Sequence, residues 1–278
     1  MTKLSTQTFG LGKEFTEDLV GTIQKLHAMG FDGIEPLVVF NREQGKLPKN
    51  LWTLETLSIA KAKMDELGMT IPSVHMGVAF GWFSMPVGMI IKNIQMLHDR
   101  FGICNFVIST TFGSLAQAKH WAKTVRKISD AVRPLGCSVL YHNHDDEFKK
   151  VRYQGKTMEA MEVFLEQTSP DVMLQLDIGW AGIAGDELDI VKRYADRIAL
   201  LHLKDFYPDF RNDQYTRKNM PTEAFAPIGE GGIATKDILA MLDTLPSFSG
   251  HLIIDQDKTT GDMMQALETG HRNIRTML

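Results

Sequence analysis

The segment Tyr141–Phe148 (YHNHDDEF) concentrates groups that can bind a metal ion or transfer protons. It contains two histidines, two aspartates and one glutamate, and it directly follows the short, mostly apolar run Ser138–Leu140. At the end of a buried strand such residues form the floor of a metal or acid/base site, whereas on a surface turn they would only be solvated. Because the preceding run has the pattern of a buried strand, we interpret the segment as part of a functional site.

Polar residues also follow the other strands that the sequence predicts. Apolar runs of strand length alternate with segments in which apolar residues recur every three or four positions, as at Leu115–Pro134. The polar residues at the strand ends are Glu35, His75, Ser109, His142 with His144, Asp177, His202 and Asp255. Six of the eight predicted strands therefore end in a carboxylate or an imidazole.

This alternation predicts the fold. Eight strand-then-helix units follow one another, and four predicted helices stop at a glycine shortly before the next strand, namely Gly30, Gly68, Gly102 and Gly136. Regular alternation implies parallel strands with helical crossovers. Eight units in 278 residues predict an α/β protein with a single (β/α)8 TIM barrel over residues 1–278. A doubly wound open sheet is the alternative, but Thr8–Gly12 matches its glycine-rich phosphate turn poorly.

Composition narrows the function classes. The formal net charge is -4 and no run of Lys or Arg exceeds two residues, which argues against a nucleic-acid or anionic-membrane surface. The two cysteines, Cys104 and Cys137, lack CxxC spacing, so neither a disulfide framework nor a thiolate metal site is expected. No apolar run has the length of a signal peptide or a transmembrane helix. We therefore expect a cytoplasmic protein that binds a small molecule, with no nucleic-acid or membrane partner.

The strand ends also predict a metal site. In a TIM barrel the carboxyl ends of all strands converge on one mouth. Histidines and carboxylates without cysteine suit a divalent ion such as Mn²⁺, Zn²⁺, Co²⁺ or Mg²⁺. The sequence therefore predicts a divalent-ion site at the mouth of the barrel.

Five segments occur in an order that resembles the xylose-isomerase-like TIM-barrel superfamily: Tyr141–Phe148, Leu176–Trp180, Leu201–Asp205, Ile228–Gly231 and Ile253–Asp257. More narrowly, they resemble its sugar phosphate isomerase/epimerase branch, near inosose dehydratases, keto-sugar epimerases and 3-keto-glycoside hydratases. The resemblance spans nearly the whole chain, and its motifs are specific for the superfamily but poor at naming the substrate. It implies carbohydrate metabolism, and a homo-oligomer is common in this family.

The resemblance implies a single divalent ion held by side chains after the last four strands. The matching positions are Glu147, Asp177, His202 and Asp255. Two positions depart from the family pattern. His142 stands where the epimerases have a glutamate, so Glu147 must fold back to reach the ion, with His142 or His144 as substitute ligands. Asp255 replaces a glutamate and is one methylene shorter.

These ligands predict chemistry on a keto-sugar or polyol. An ion chelated by a ketone oxygen and a neighbouring hydroxyl polarises the carbonyl, which eases proton removal from the adjacent carbon and stabilises an enediolate. We expect Glu147, Asp255 and His142 to be the catalytic groups. Substrate contacts are expected from Glu35, His75, His144, Lys204, Glu230, Trp180 and Trp82. The alternative for Lys204 is a salt bridge with Asp205 or Glu230.

The outcome of the reaction depends on where the proton returns. Return to the other face of the same carbon gives epimerisation, and return to another carbon gives isomerisation. We predict an isomerase or epimerase. A dehydratase or hydratase acting on a keto-inositol or 3-keto-glycoside is the alternative, since loss of a β-hydroxyl can follow the same first step. A catalytically inactive sugar-binding barrel is the alternative of another class, because Asp255 is shorter than a glutamate.

Two further expectations concern the substrate. An apurinic-site endonuclease on the same fold would need several zinc ions and a basic rim, which the net charge of -4 does not favour. No phosphate-binding loop is evident, so we expect a neutral sugar or inositol derivative. The loops Met76–Phe83 and Phe206–Gly232 are candidate lids over it.

Overall fold

A parallel sheet forms the centre of the protein. The computed structural model describes residues 2–40, 51–76, 79–80 and 83–278. Within them, the sheet contains β1 Lys3–Gln7, β2 Gly33–Glu35, β3 Leu37–Val38, β4 Val74–Met76, β5 Asn105–Ser109, β6 Ser138–His142, β7 Met173–Asp177, β8 Ile198–Leu203 and β9 His251–Ile254. Their order is β2-β1-β9-β8-β7-β6-β5-β4-β3, and every neighbouring pair is parallel.

The two outermost strands in this order, β2 and β3, are parts of one barrel strand that Pro36 interrupts. Proline has no amide hydrogen to donate to a sheet ladder, which makes it a point of interruption. β2 pairs with β1, β3 pairs with β4, and the amide of His75 donates to the carbonyl of Pro36 at 2.9 Å. The sheet therefore closes through this broken strand, and the predicted TIM barrel is confirmed.

Helices follow the strands along the chain. Those of the described residues are α1 Gly12–Glu17, α2 Leu19–Ala28, α3 Leu54–Glu66, α4 Val87–Phe101, α5 Leu115–Val132, α6 Ala160–Gln167, α7 Ile178–Ala184, α8 Glu187–Arg193, α9 Thr235–Leu239 and α10 Met263–Met277. The predicted stop of α4 at Gly102 is confirmed, since this residue caps the helix with a φ of 67°. None of the described helices is long and apolar enough to cross a membrane.

Two helical segments differ from what the sequence pattern predicts. The helical spacing of Leu19, Ile23 and Leu26 predicts one helix over Thr16–Met29. This helix is interrupted at Asp18, which has extended backbone and caps α2 by accepting a hydrogen bond from the amide of Gly21 at 2.8 Å. The short helix α7 was not predicted. It begins directly after Asp177, where the run of apolar residues hides the change from strand to helix.

The interior of the barrel changes from apolar to polar towards the carboxyl ends of the strands. A buried layer of Val107, Leu140, Leu200 and Ile253 fills the barrel. Side chains two residues apart on a strand point to the same face. Two residues after three of these apolar positions stand His142, His202 and Asp255, so the packing of the apolar layer directs these side chains into the barrel mouth.

One buried carboxylate organises the long loop after β8. Asp205 accepts hydrogen bonds from the amides of Phe206, Gly229, Gly231 and Ile233 at 2.9 to 3.0 Å. In addition, residues 205–206 pair with residues 225–226 as a two-stranded antiparallel sheet. The loop thereby packs Met220 and Phe225 against Trp180 at the barrel mouth.

Candidate active site

Four side chains from four neighbouring strands meet in the barrel mouth. They are His142 at the end of β6, Asp177 at the end of β7, His202 on β8 and Asp255 after β9, and we call them the quartet. One ligand atom from each lies within 4.8 Å of the others, and all four residues are buried. Among the described residues, neither Oδ2 of Asp177 nor Oδ1 of Asp255 has a hydrogen-bond partner. Buried carboxylate oxygens without partners are costly, and a divalent ion would satisfy both, so the quartet fits such an ion.

Asp177 is held with one oxygen facing the other quartet members. Its Oδ1 accepts a hydrogen bond from the amide of Trp180 at 2.9 Å and so caps α7. Asn143 fixes the backbone, because its side chain accepts from the amide of Asp177 at 2.9 Å and donates to the carbonyl of Asp177 at 3.2 Å. Burial raises the pKa of the Asp177 carboxyl, and the charge of Lys204 opposes this shift. The cap therefore leaves Oδ2 available as a ligand.

His202 lies between two carboxylates. Its Nδ1 is 3.0 Å from Oδ2 of Asp255, and its Nε2 is 2.7 Å from Oε2 of Glu35. Burial lowers the pKa of His202, but Glu35 and Asp255 outweigh it and raise this pKa to about 10. Loading the quartet with an ion requires His202 to release the proton on Nδ1. The Nε2 hydrogen can remain with Glu35, which is the usual way in which a carboxylate orients a metal-binding histidine.

Glu35 is not placed where it could contact substrate. It was expected to contact substrate, yet it is fully buried and does not line the cavity described below. Its oxygens accept hydrogen bonds from Ser73, Gln175 and His202. Its contacts are those of a residue that orients His202.

Gln175 is a central residue that the sequence analysis missed. Its Nε2 must face Glu35 at 2.5 Å, because a carboxylate only accepts hydrogen bonds. Its Oε1 therefore accepts from Nε2 of His75 at 2.5 Å and from Nδ1 of His142 at 3.2 Å. Burial holds the pKa of His142 well below its usual range, so the ring is neutral and its Nε2 carries a lone pair. The available signal was a glutamine within the otherwise apolar run of β7.

Lys204 approaches the carboxylates that an ion would use. Its Nζ lies 2.8 Å from Oδ2 of Asp255, 2.8 Å from Oδ2 of Asp257 and 3.3 Å from Oδ2 of Asp177. Burial lowers the pKa of Lys204, but these three carboxylates together hold it well above its usual value. The side chain is therefore an ammonium ion. The alternative pairing with Asp205 is not formed, since the Asp205 carboxylate binds backbone amides instead.

Glu147 does not belong to the group of converging ligand atoms. Its Oε1 accepts hydrogen bonds from the hydroxyl of Tyr141 at 2.8 Å and the amide of Phe112 at 3.2 Å, and its Oε2 accepts from the amide of His144 at 2.9 Å. Burial raises its pKa to about 7, although these donors oppose the shift. The geometry thus favours His142, the substitute ligand of the sequence analysis, over Glu147.

Substitution of Glu147 tests this choice between the two ligands. In Glu147→Gln, the side-chain NH2 group must face the backbone amide of either Phe112 or His144, both of which donate to the carboxylate of Glu147. Two donors would then face each other. We expect the free energy of unfolding in urea to fall by about 1–3 kcal/mol, while calorimetry at low temperature finds divalent-ion affinity unchanged. Glu166→Gln, at an exposed position of α6, is the control for both measurements. Loss of the ion with unchanged stability would instead make Glu147 a ligand.

Two members of the quartet, His142 and Asp255, line a cavity of about 680 Å³. The predicted substrate contacts that line it are His75, His144, Lys204 and Trp180. Glu230 is exposed and does not line it, and Trp82 lies outside the described residues.

His144 is the most informative of the lining residues. Its Nδ1 is buried without a partner among the described residues, and burial holds its pKa well below the usual range. It is therefore a neutral imidazole that can accept a proton.

Residues 23–276 match the family described as "Xylose isomerase-like TIM barrel". The chain belongs to this family. The resemblance noted from its motifs is therefore confirmed. A curated relative, the inosose dehydratase of Geobacillus kaustophilus, is 24% identical over 281 residues, which cover 90% of this chain and 82% of that protein.

Solved structures of xylose isomerase-like barrels share the fold. A sugar phosphate isomerase/epimerase from Parabacteroides distasonis superposes with a TM-score of 0.77 at 19% identity, over 99% of this chain and 96% of that one. A xylose isomerase-like TIM barrel protein from Mycobacterium smegmatis, in complex with magnesium, superposes with a TM-score of 0.69 at 12% identity, over 100% and 96%. At these identities the likeness establishes the fold, while the family match shows to which family the chain belongs.

Proposed function

We propose that the protein is a divalent-metal-dependent isomerase or epimerase that removes a proton next to the carbonyl of a keto-sugar or a polyol-derived ketone. The observation that carries this proposal is the quartet, which has two carboxylate oxygens that accept no hydrogen bond among the described residues and reaches the cavity through His142 and Asp255. A volume of about 680 Å³ is in the range of small-molecule sites. The magnesium in the related barrel from Mycobacterium smegmatis is consistent with a divalent ion here.

The side chains around the quartet have separate roles in this proposal. A bound divalent ion supplies the positive charge that polarises a carbonyl oxygen. The Lys204 ammonium donates a hydrogen bond towards the developing negative charge. Trp180, which lines the cavity with Phe225, packs against the apolar face of the sugar. Asp255 holds both His202 and Lys204 and so keeps these groups in place.

Two side chains that face the cavity can move protons. His144 follows β6 and has a free buried Nδ1, and Asp257 follows β9 and lines the same cavity. In the barrel β7 and β8 lie between β6 and β9, so the two groups approach the substrate from different directions. An epimerase that inverts a carbon needs one group that takes the proton and a second that returns a proton to the other face, whereas an isomerase can use a single group for both steps. This pair of groups therefore supports the proposed proton removal and return, including return to the other face.

A dehydratase is the second candidate, and the curated relative favours it. The inosose dehydratase of Geobacillus kaustophilus matches 90% of this chain. Dehydration begins with the same proton removal and then needs an acid at the departing hydroxyl. The same two side chains, His144 and Asp257, can supply the base and the acid.

Deuterium exchange combined with metal analysis tests both candidates. The purified protein is analysed for bound metal and then incubated in D2O with a panel of neutral and acidic keto-sugars and keto-inositols. We expect metal-dependent deuterium uptake next to the carbonyl, with an epimer or isomer as product. Uptake accompanied by loss of water would identify the dehydratase. His144→Gln should abolish uptake, whereas His120→Gln, at an exposed position of α5, should not. Bound metal without exchange on any compound would leave a catalytically inactive sugar-binding barrel.

A further inference from the structure

Two cations of the cavity have no acidic partner. Arg217 and Lys258 both line it, and neither forms an ion pair with a carboxylate of the described residues. The third cation, Lys204, is different, because Asp255 and Asp257 already neutralise it. The acidic side chains that line the cavity are thus occupied, and two positive charges remain.

Arg217 and Lys258 are brought to the same part of the rim by the turn that ends at Met220. Nζ of Lys258 lies 3.4 Å from the carbonyl oxygen of Met220 and 5.4 Å from the centre of the Phe225 ring. Arg217 lies within this turn, which closes through a hydrogen bond from the amide of Met220 to the carbonyl of Thr216 at 2.9 Å. The amide of Arg217 also donates to Oδ1 of Asp145 at 3.1 Å. The backbone of Arg217 and the ammonium of Lys258 are thus both attached to the cavity wall.

The positive charge of the rim contrasts with the formal net charge of the whole chain, which is -4. A divalent ion on the quartet would make the cavity more positive still. A neutral sugar would displace water from both cations without offering them a counter-charge, which is unfavourable, whereas an anionic group would form charge-assisted hydrogen bonds with them.

We propose that the substrate carries an anionic group, a carboxylate or a phosphate, which Arg217 and Lys258 bind at the rim while the carbonyl faces the quartet. This proposal rests on the proposed function and specifies its substrate class. It replaces the neutral sugar or inositol expected from the sequence. The sequence held no signal for it, because Arg217 and Lys258 are 41 residues apart and stand in no phosphate-binding motif.

Binding of three matched ketoses to the metal-loaded protein tests the proposal without requiring turnover. The probes are fructose, which is neutral, 5-keto-gluconate, which carries a carboxylate, and fructose 6-phosphate. We expect calorimetry in low salt to give at least one anionic probe an affinity about tenfold or more above that of fructose. In the double variant Arg217→Gln/Lys258→Gln this preference should disappear, and metal affinity should stay unchanged. Lys218→Gln is the matched control, since this neighbouring lysine lies outside the cavity.

The outcomes distinguish this proposal from the proposed function. A preference for 5-keto-gluconate alone identifies a carboxylate, and one for fructose 6-phosphate alone identifies a phosphate. Equal affinity for all three probes, or no binding of any of them, overturns the anion subsite. So does a preference that survives in the double variant. Failure of the proposed function would appear separately, as absence of deuterium exchange by the metal-loaded protein, which this binding measurement does not use.

Discussion

The variant Asp177→Asn is expected to lose divalent-ion binding while the barrel stays folded. Asparagine is as good a helix cap as aspartate, so its side-chain oxygen can keep the hydrogen bond from the amide of Trp180. Its amide nitrogen then takes the place of Oδ2, which accepts no hydrogen bond among the described residues and lies 3.3 Å from Nζ of Lys204. The NH2 group of an amide only donates hydrogen bonds, so it cannot bind a metal cation. We expect the dissociation constant for Mn²⁺, measured by calorimetry, to rise by about 100-fold or more. This exceeds the loss of about 10- to 100-fold in metal affinity that is typical when a residue that only hydrogen-bonds a metal ligand is replaced.

A second helix cap provides the matched control. Asp186 caps α8 by accepting hydrogen bonds from the amides of Leu188 and Asp189, and it is exposed to solvent. Asp186→Asn should leave both metal affinity and the urea midpoint unchanged. In Asp177→Asn the midpoint of the metal-free protein should also change little, whereas the stabilisation by added metal should vanish. Retention of full metal affinity in Asp177→Asn would remove this residue from the site and with it the proposed chemistry.

The part of the site that follows strand periodicity could be predicted from the sequence. His142, His202 and Asp255 stand two residues after buried apolar positions, so a correct strand assignment already sets their direction. The same rule applies to Lys204, two residues after His202. It predicts an inward side chain, but it does not predict which carboxylates the ammonium meets, because these arrive from β7 and β9.

Glu147 shows where such prediction ends. It lies in the single turn Asp146–Phe148, which has neither strand nor helix periodicity. The direction of its side chain is decided by donors that are distant in sequence, such as the amide of Phe112. Glu35 shows a related limit. It was found as a strand-end residue, but its contacts with His202 and Gln175 depend on how far each strand extends into the barrel.

The charges around the quartet place Lys204 in competition with a metal ion. Asp177, Asp255 and Asp257 surround its ammonium group, and all three are largely or fully buried. In the metal-free protein Lys204 therefore compensates carboxylates that would otherwise be isolated from water, which is a costly state. A divalent ion bound to Asp177 and Asp255 must share these carboxylates with the ammonium. The lysine thus stabilises the metal-free protein and weakens its affinity for the ion.

The variant Lys204→Met tests this competition. Methionine retains most of the length of the side chain without its charge. We expect the metal-free variant to lose about 3–5 kcal/mol of unfolding free energy, as when one partner of a buried ion pair is removed. We also expect Mn²⁺ to bind about tenfold more tightly, which corresponds to about 1.4 kcal/mol of relieved repulsion. The melting temperature of the variant should therefore rise more on addition of metal than that of the natural protein, although its turnover should fall because the oxyanion loses a donor.

Lys192→Met, at an exposed position of α8, controls for the general effect of losing a lysine and should change neither quantity. If Lys204→Met does not fold without metal, refolding in the presence of Mn²⁺ gives the same comparison through the metal concentration at which half of the protein is folded. Weaker metal binding in the variant would mean that the ammonium orients Asp177 and Asp255 for the ion. Lys204 would then be a supporting residue of the metal site and not a competitor of the ion.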